Sequence, residues 1–404
     1  MDRGRGVTAP APVDLCLVLP HLGAGGAQKV ALLAADHFLA SGLRVQLVTL
    51  LPGVAPVHAL PDGLDHVDLG PDLRLSLASG RLVRGLHRWL AGIGLRLLHA
   101  AGSGGWAPLC WCAFGVVGPR ALLLRRHWQS QPPRRVLAFL SRTNLISCLA
   151  MWTLPGHLVV SERNDLRSED LPLSWRRLRP LLFRRADVVT ANSAGTLESL
   201  ALLGLPKTPV LLPNPMPAIC VQQRAGEARA GCLSIARQVR QKGLDVLIEA
   251  WARLPSISAG LMLTLVGDGP ERGSLEAQAE RCGVRSRIRF TGHCQDVSTE
   301  LASAAIFVLP SRKEGMPNAL LEAMAAGLAV VVSDASPGPL ALVENGVTGL
   351  VVPVDDTAAL AAALERLVSD PDLCTRLGTA ASMRMRDHAW DVLDPQWRTV
   401  LALS

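Results

Sequence analysis

No part of the sequence contains the ~20 consecutive, mainly apolar residues that a membrane-spanning helix needs, although the mean hydropathy of +0.27 is high. The nearest candidate, residues 100–119, is interrupted repeatedly by glycine and proline. We interpret it as buried strand and loop, with a membrane-dipping segment as the alternative. The first twelve residues also lack the apolar core of a signal peptide. The sequence therefore predicts a cytoplasmic protein.

Spacings typical of metal sites and disulfide frameworks are also missing. The nine cysteines are scattered through apolar runs, and only Cys110 and Cys112 lie close together, without the second pair that a zinc site requires. None of the ten histidines belongs to an H-E-x-x-H segment. We therefore expect reduced thiols and no metal held by the protein.

Charged residues are few, at 19% against 49% hydrophobic residues, and this composition excludes general disorder. The net charge of +7 is unevenly distributed. Residues 1–216 contain 23 Lys and Arg against 13 Asp and Glu, whereas the remainder contains 18 against 21. Positive charge thus belongs to the N-terminal half, which concerns its partners rather than its fold.

Three basic segments, residues 81–98, 125–135 and 174–185, also carry tryptophan. The first has the pattern of an amphipathic helix. It is either a surface helix on the N-terminal sheet or a helix on an anionic membrane, where each basic residue contributes about 1 kcal/mol. No recognition motif accompanies these segments, so nucleic acid is not a predicted partner.

Short apolar runs alternate with helical patterns along the whole chain, which is typical of parallel sheets covered on both faces. A length of 404 residues suits two such units. Five prolines between positions 206 and 217 interrupt regular structure there. The predicted fold is α/β, with two Rossmann-like domains facing across a cleft. Its parts are residues 13–205, a linker at 206–223, a second domain at 224–385 and a C-terminal helix at 386–404.

The strongest chemical signal lies in residues 311–334, which follow an apolar strand. Glu314 and Gly315 occupy a turn, and a helix is predicted to begin near Pro317. Glu322 then lies close to the start of that helix. Gly315 permits close backbone approach, and free N–H groups at a helix start bind anions. Carboxylates beside an anion site favour a ligand with both hydroxyl and phosphate groups, the alternative being two ordinary surface glutamates.

This E-x7-E segment resembles the signature of the retaining glycosyltransferases of family 4 (glycosyl transferases group 1), which have the GT-B fold. Residues 236–250, 266–271 and 344–352 resemble further elements of that family in the same order. Ala236 stands where glycine is usual. The resemblance covers residues 231–380, and it implies a C-terminal helix that returns to the N-terminal domain.

The resemblance implies three catalytic candidates. Arg237 and Lys242 would hold the diphosphate of a nucleotide-sugar donor, which stabilises the leaving group without a metal or other cofactor. Glu314 would contact hydroxyls of the donor sugar and Glu322 the ribose, while loops 267–270 and 290–296 flank the base. The other donor-binding candidates are Gly25, Gly26, Gly267, Asp268, Gly269, Gly315, Met316, Pro317 and Asn318. Solvated loop charges are the alternative for the two cations.

In the N-terminal half, Gly23, Gly25 and Gly26 lie between a strand and a helix. They resemble the glycine-rich loop of the same family, whose backbone approaches the donor phosphates or the acceptor. The alternative, a G-x-G-x-x-G dinucleotide fingerprint, lacks its third glycine and a downstream acidic residue. An NAD-binding role is therefore disfavoured.

Residues 161–165, 186–193 and 212–216 resemble N-terminal elements of the family. Arg163 and Asn164, at a strand end, are the acceptor-side candidates, with a capped surface loop as the alternative. Many relatives have a histidine in the loop after the strand at 136–140, whereas this loop reads LSRTNLIS. Ser141, Arg142 or Asn144 would have to act in its place.

The sequence thus predicts retaining transfer of a hexosyl unit, giving an α-linkage, from a nucleotide-diphosphate sugar to a glycan or lipid-linked acceptor. UDP is favoured over GDP, and the expected context is cell-surface polysaccharide or lipid-linked glycan assembly. The basic half favours peripheral attachment to the inner face of the membrane. Two alternatives remain: a sugar-nucleotide epimerase of the same fold, and a non-catalytic membrane-associated scaffold.

Overall fold

The protein is described by a computed structural model over residues 12–23, 25–71, 117–164, 166–169, 171–216, 229–254, 260–294 and 296–403. The predicted basic helix at 81–98, most of the uncharged stretch at 100–119, and both Cys110 and Cys112 lie outside these residues. None of the helices in the described ranges combines the length and apolar character needed to cross a bilayer.

The described part of the N-terminal domain forms a seven-stranded parallel sheet in the order β3-β2-β1-β4-β5-β6-β7. The strands are β1 (Leu15–Leu19), β2 (Val45–Thr49), β3 (Asp65–Asp68), β4 (Arg135–Phe139), β5 (His157–Glu162), β6 (Val188–Ala191) and β7 (Val210–Leu211). The helices are α1 (Gly26–Ala40), α2 (Pro119–Ser130), α3 (Ser141–Ala150), α4 (Leu173–Leu182) and α5 (Ala194–Ala201). Strands β1 and β2 are buried at every position, which the wholly apolar sequence of β1 indicates and which in β2 includes the polar Gln46 and Thr49.

The C-terminal domain repeats this plan in a six-stranded parallel sheet of order β10-β9-β8-β11-β12-β13. The strands are β8 (Cys232–Ile235), β9 (Leu263–Val266), β10 (Ile288–Gly292), β11 (Ile306–Leu309), β12 (Ala329–Ser333) and β13 (Leu350–Val352). The helices are α6 (Leu244–Ala252), α7 (Arg272–Arg281), α8 (Ser298–Ser303), α9 (Asn318–Ala325), α10 (Pro337–Leu342), α11 (Thr357–Ser369) and α12 (Pro371–Arg384).

Both sheets reverse their strand order once, between β1 and β4 and between β8 and β11, as in doubly wound nucleotide-binding folds. The prediction of an α/β fold with two Rossmann-like domains is therefore confirmed. In such sheets, ligands bind at the carboxyl ends of the strands beside the reversal. Each domain accordingly offers one binding edge.

The chain crosses between the domains twice, at adjacent points. The Met216 backbone N–H donates to the His388 carbonyl at 2.9 Å, and the His388 imidazole bonds to the Asn214 carbonyl at 2.9 Å. Helix α13 (Trp390–Leu401) then packs on the N-terminal sheet, where Trp397 is fully buried in the same apolar cluster as Phe38. The C-terminal helix is thus part of the core of the N-terminal domain.

Candidate functional site

A cleft of ≈ 670 Å³ opens between the carboxyl ends of the two sheets. The N-terminal domain contributes residues that follow β1, β4, β5 and β6, and the C-terminal domain contributes residues that follow β8, β9, β10 and β11. Fourteen of the sixteen site residues predicted from the sequence line it: Gly25, Gly26, Arg163, Asn164, Arg237, Lys242, Gly267, Asp268, Glu314, Gly315, Met316, Pro317, Asn318 and Glu322. Residues 250 or more positions apart in sequence therefore meet at one surface.

Glu314 occupies the turn between β11 and α9, and the polar groups around it fix its orientation. Its backbone N–H donates to Ser336 Oγ at 2.9 Å, and its Oε1 atom accepts from Ser311 Oγ at 2.6 Å. The same Oε1 atom lies 2.6 Å from Lys242 Nζ. With only 8% of its side chain exposed, this carboxylate is held in place before any ligand arrives.

An ion-pair network anchors the same turn to α6. Arg312 donates two hydrogen bonds to the Asp245 carboxylate, at 2.9 and 2.7 Å, and its Nε atom lies 2.7 Å from Asp355 Oδ1. Bidentate pairing of this kind is directional and lowers the pKa of Asp245, although burial opposes the shift. Arg312 therefore supports the turn from the side facing away from the cleft.

Gly315 lies at a point where the two domains approach each other closely. A Cβ atom at this position would lie 2.4 Å from the Arg163 carbonyl oxygen. The sequence predicted a close backbone approach at Gly315, and in the structure the backbone that approaches it is that of the N-terminal domain. Larger residues here would push the two walls of the cleft apart.

The two predicted phosphate-binding cations extend from the segment that follows β8. Arg237 is exposed, whereas the Lys242 side chain is 17% exposed because it is paired with Glu314. Gly243 comes next with φ of 64°, and a Cβ there would lie 2.0 Å from the Pro310 carbonyl. This contact, which only glycine permits, holds Lys242 against the Glu314 turn.

Two helix N-termini meet in the cleft, α1 from one domain and α9 from the other. Asn318 Nδ2 donates to the Gly26 carbonyl at 2.9 Å, so a hydrogen bond joins the first residues of the two helices. Neither helix has an acidic residue in its first turn. The positive ends of two helix dipoles thus converge with no acidic residue in either first turn, an arrangement that favours a bound anion.

Lys29 is a cleft residue that the sequence analysis missed. Its Nζ atom, in the first turns of α1, lies 2.7 Å from Glu322 Oε1 in α9. The Glu322 side chain is 5% exposed and that of Lys29 is 29% exposed. The glycine-rich loop indicated that α1 begins at the cleft, but no sequence pattern indicated a partner in the other domain.

His21 also lines the cleft, in the loop after β1. The Gly23 N–H donates to its Nδ1 atom at 3.0 Å, and burial lowers the pKa of the imidazole. A neutral ring with Nδ1 as acceptor carries its proton on Nε2. The domain therefore has a histidine at the cleft, although the loop after β4 has none.

Two of the predicted site residues do not line the cleft. Helix α3 begins at Ser141, and Asn144 is fully buried in it, where its Nδ2 atom donates to the Ser161 carbonyl at 3.0 Å. Gly269 instead packs on the preceding segment, since a Cβ would lie 2.3 Å from the Gln238 carbonyl. Asn144 closes the end of β5 and Gly269 shapes the turn after β9.

Behind the cleft wall, Glu162 at the end of β5 is fully buried. Ser141 Oγ donates to its Oε2 atom at 2.5 Å. Burial raises the pKa of Glu162 to about 7, although Arg179 opposes the shift.

Among the described residues, no group of three or more His, Cys, Asp or Glu is placed to hold a metal ion. The absence of a metal requirement stays a prediction.

Comparison with known proteins matches part of this chain to one family. Residues 221–384 match the family described as glycosyl transferases group 1. The lipopolysaccharide core biosynthesis glycosyltransferase LpsE of Rhizobium meliloti is 36% identical over 48% of this chain and 58% of its own length. An uncharacterized glycosyltransferase of Haemophilus influenzae is 27% identical over 42% of this chain and 48% of its own length. The chain thus spans about half the length of these curated relatives.

Solved structures match over almost the whole chain. Anabaena Alr3699/HepE in complex with UDP and glucose superimposes with a TM-score of 0.72 at 18% identity, covering 96% of this chain and 99% of that one. The sucrose-phosphate synthase of Thermosynechococcus elongatus gives 0.73 at 18% identity, covering 97% and 100%. At such identities the likeness establishes the fold. Residues 221–384 thus resemble the glycosyl transferases group 1 family, and the chain has the two-domain GT-B fold of these solved structures.

Proposed function

We propose that the protein transfers a hexosyl unit, with retention, from a UDP-sugar to a glycan or lipid-linked acceptor in lipopolysaccharide or other cell-surface polysaccharide assembly. The observation that carries the proposal is the convergence of Arg237, Lys242 and two helix N-termini on one cleft that also holds Glu314 and Glu322. Cations and helix ends suit a diphosphate, and carboxylates suit hydroxyl groups. Relatives named for lipopolysaccharide core biosynthesis support the proposed context.

The ion pairs of the cleft are compatible with donor binding. An ammonium group has three N–H donors, so Lys242 keeps two for phosphate oxygens while one is directed at Glu314. The Lys29 pair likewise engages only Oε1 of Glu322, which leaves Oε2 for the ribose hydroxyls. As the bond to the diphosphate breaks, the fixed cations and helix ends stabilise the leaving charge. No enzymic nucleophile and no bound metal are assigned to this step.

A screen of ligands against thermal unfolding tests the proposal, because a bound donor stabilises the folded state by mass action. We expect UDP and at least one UDP-sugar, at about 100 times Kd, to stabilise the protein by about 2.7 kcal/mol. GDP at the same concentration is expected to stabilise the folded protein less than UDP does. If no uridine or guanosine nucleotide raises the unfolding midpoint, the transferase proposal fails. A donor converted without any acceptor would instead identify an epimerase.

We also propose that the N-terminal domain docks peripherally on the anionic inner face of a membrane. On α4, Leu173 is 60% exposed beside the exposed Arg176 and Arg177, so an apolar group and positive charge share one surface. Exchanging both arginines for Glu is expected to abolish co-sedimentation with phosphatidylglycerol vesicles at low salt. Exchanging the exposed Arg281 and Arg285 of the other domain for Glu is the matched control. Equal vesicle binding by both variants would rule this surface out.

A further inference from the structure

The charges that line the cleft do not pair completely. Four permanent cations, Lys29, Arg163, Arg237 and Lys242, accompany three carboxylates. Glu322 and Glu314 each form an ion pair with a lysine, the first with one from the N-terminal domain and the second with one from the C-terminal domain. Neither arginine has a carboxylate partner within the described ranges, so the cleft holds two guanidinium groups without a counter-ion.

The two arginines differ in how much water reaches them. Arg237 is exposed and water solvates its charge. Arg163 is only 5% exposed, and its Nε and Nη2 atoms have no hydrogen-bond partner among the residues that the structure describes. Burial lowers the pKa of this guanidinium to about 9. A buried cation without a counter-ion is costly to the fold, and an anionic ligand that paired with it would offset that cost.

Arg163 is also held rigidly. Its Nη1 atom donates to Asn214 Oδ1, and its guanidinium lies over the Phe139 ring, 5.0 Å from the centroid. Asn214 in turn donates to Asn318 Oδ1 at 2.7 Å, at the start of α9. The free edge of the guanidinium therefore has a fixed place on the N-terminal wall. The backbone carbonyl of Arg163 faces Gly315, the neighbour of Glu314, so this residue lies at the end of the cleft where the sugar is expected.

We propose that Arg163 is the binding residue for an anionic group, a phosphate or a carboxylate, that the acceptor carries close to its reacting hydroxyl. This inference rests on the proposed transferase function and adds the chemical class of the acceptor. The donor diphosphate already has Arg237 and Lys242 on the opposite wall, together with the two helix ends. Two unpartnered guanidinium N–H groups match the paired oxygens of a phosphate or carboxylate. A neutral acceptor would leave the Arg163 charge unsatisfied.

The test measures binding of small sugars to the protein saturated with UDP, by calorimetry. Glucose 6-phosphate and glucuronate are the anionic probes, and glucose is the neutral one. We expect the wild type to bind an anionic probe at least tenfold more tightly than glucose. Arg163→Gln is expected to remove this preference and Arg163→Lys to restore part of it. Arg184→Gln, an equal charge change at an exposed position outside the cleft lining, should leave it intact.

A second variant supplies the missing counter-ion within the protein. Asn214→Asp places a carboxylate on Arg163 and is expected to weaken binding of the anionic probe at least tenfold while the guanidinium stays present. Arg163→Gln, which removes an unpaired buried charge, should unfold at or above the wild-type midpoint. A variant that cannot fold would show that the fold itself requires the guanidinium, and would overturn the proposal.

Binding of UDP separates this inference from the proposed function. Arg163→Gln should bind UDP within about twofold of the wild type. If it loses UDP as strongly as Arg237→Gln does, the anion belongs to the donor and the inference is wrong. Equal binding of charged and neutral sugars by the wild type would also overturn it. Protein that binds no nucleotide but shows an Arg163-dependent preference for the anionic probes would refute the transferase proposal alone.

Discussion

Replacing Glu314 by Gln is expected to lower kcat by about 100-fold, or about 2.7 kcal/mol, while UDP binds as tightly as before or more tightly. In the proposed reaction, the carboxylate would contact hydroxyls of the transferred sugar, where positive charge develops as the donor bond breaks. Hydrogen bonds to a sugar strengthen as that charge forms, so the interaction belongs mainly to the transition state. Gln keeps the shape and one acceptor oxygen but removes the charge.

The effect on UDP follows from the Lys242 pair. Glu314 Oε1 lies 2.6 Å from Lys242 Nζ, and the carboxylate partly neutralises the positive charge of the lysine. A neutral Gln leaves the whole lysine charge to the diphosphate. Steady-state kinetics and calorimetry with UDP separate the two effects, and Glu344→Gln, at an exposed position outside the cleft lining, is the matched control. A large loss of UDP affinity in Glu314→Gln would assign this carboxylate to the nucleotide rather than to the sugar.

Replacing Arg237 by Gln is expected to raise the Kd of UDP by about 30- to 100-fold. Hydrogen bonds to charged groups contribute about 1.5–3 kcal/mol, and each 1.4 kcal/mol changes the dissociation constant about tenfold. Arg237 has no carboxylate partner in the described part of the chain, so its loss leaves no unpaired acid behind. Calorimetric titration with UDP and with uridine measures the effect, which should be confined to the ligand carrying phosphates.

Arg240→Gln is the control for this prediction. Arg240 is exposed, two residues before Lys242, and lies outside the cleft lining, so the same net charge is removed without touching the proposed diphosphate site. UDP affinity in this variant should stay within about twofold. Equal losses of UDP affinity in both variants would mean that the overall positive electrostatic field attracts UDP. A specific contact with Arg237 would then be ruled out.

The C-terminal half of the site could be predicted because its parts are local in sequence. Glu314, Gly315 and Glu322 lie within nine residues, and a strand, a turn and a helix start fix their relative positions. Arg237 and Lys242 follow the neighbouring strand β8. Parallel strands present their carboxyl ends at one edge, so strand ends in sequence become neighbours in space.

The N-terminal side was predicted less well because its contacts depend on packing. The sequence LSRTNLIS reads as a loop after β4, but α3 begins already at Ser141. The first turn of that helix directs Asn144 inward to the Ser161 carbonyl rather than into the cleft. A side chain so close to a strand end can face either way, and the sequence does not contain the deciding contact.

The sequence by itself determined the two-domain α/β fold and the set of strand ends that carry the donor-side residues, because hydrophobic periodicity and glycine or proline positions act over a few residues. Only the tertiary structure decided which charges are neutralised. The Lys29–Glu322 pair and the chain from Arg163 through Asn214 to Asn318 join elements of different domains. Their formation depends on how two separately folded sheets approach each other, and that geometry is a property of the packed molecule.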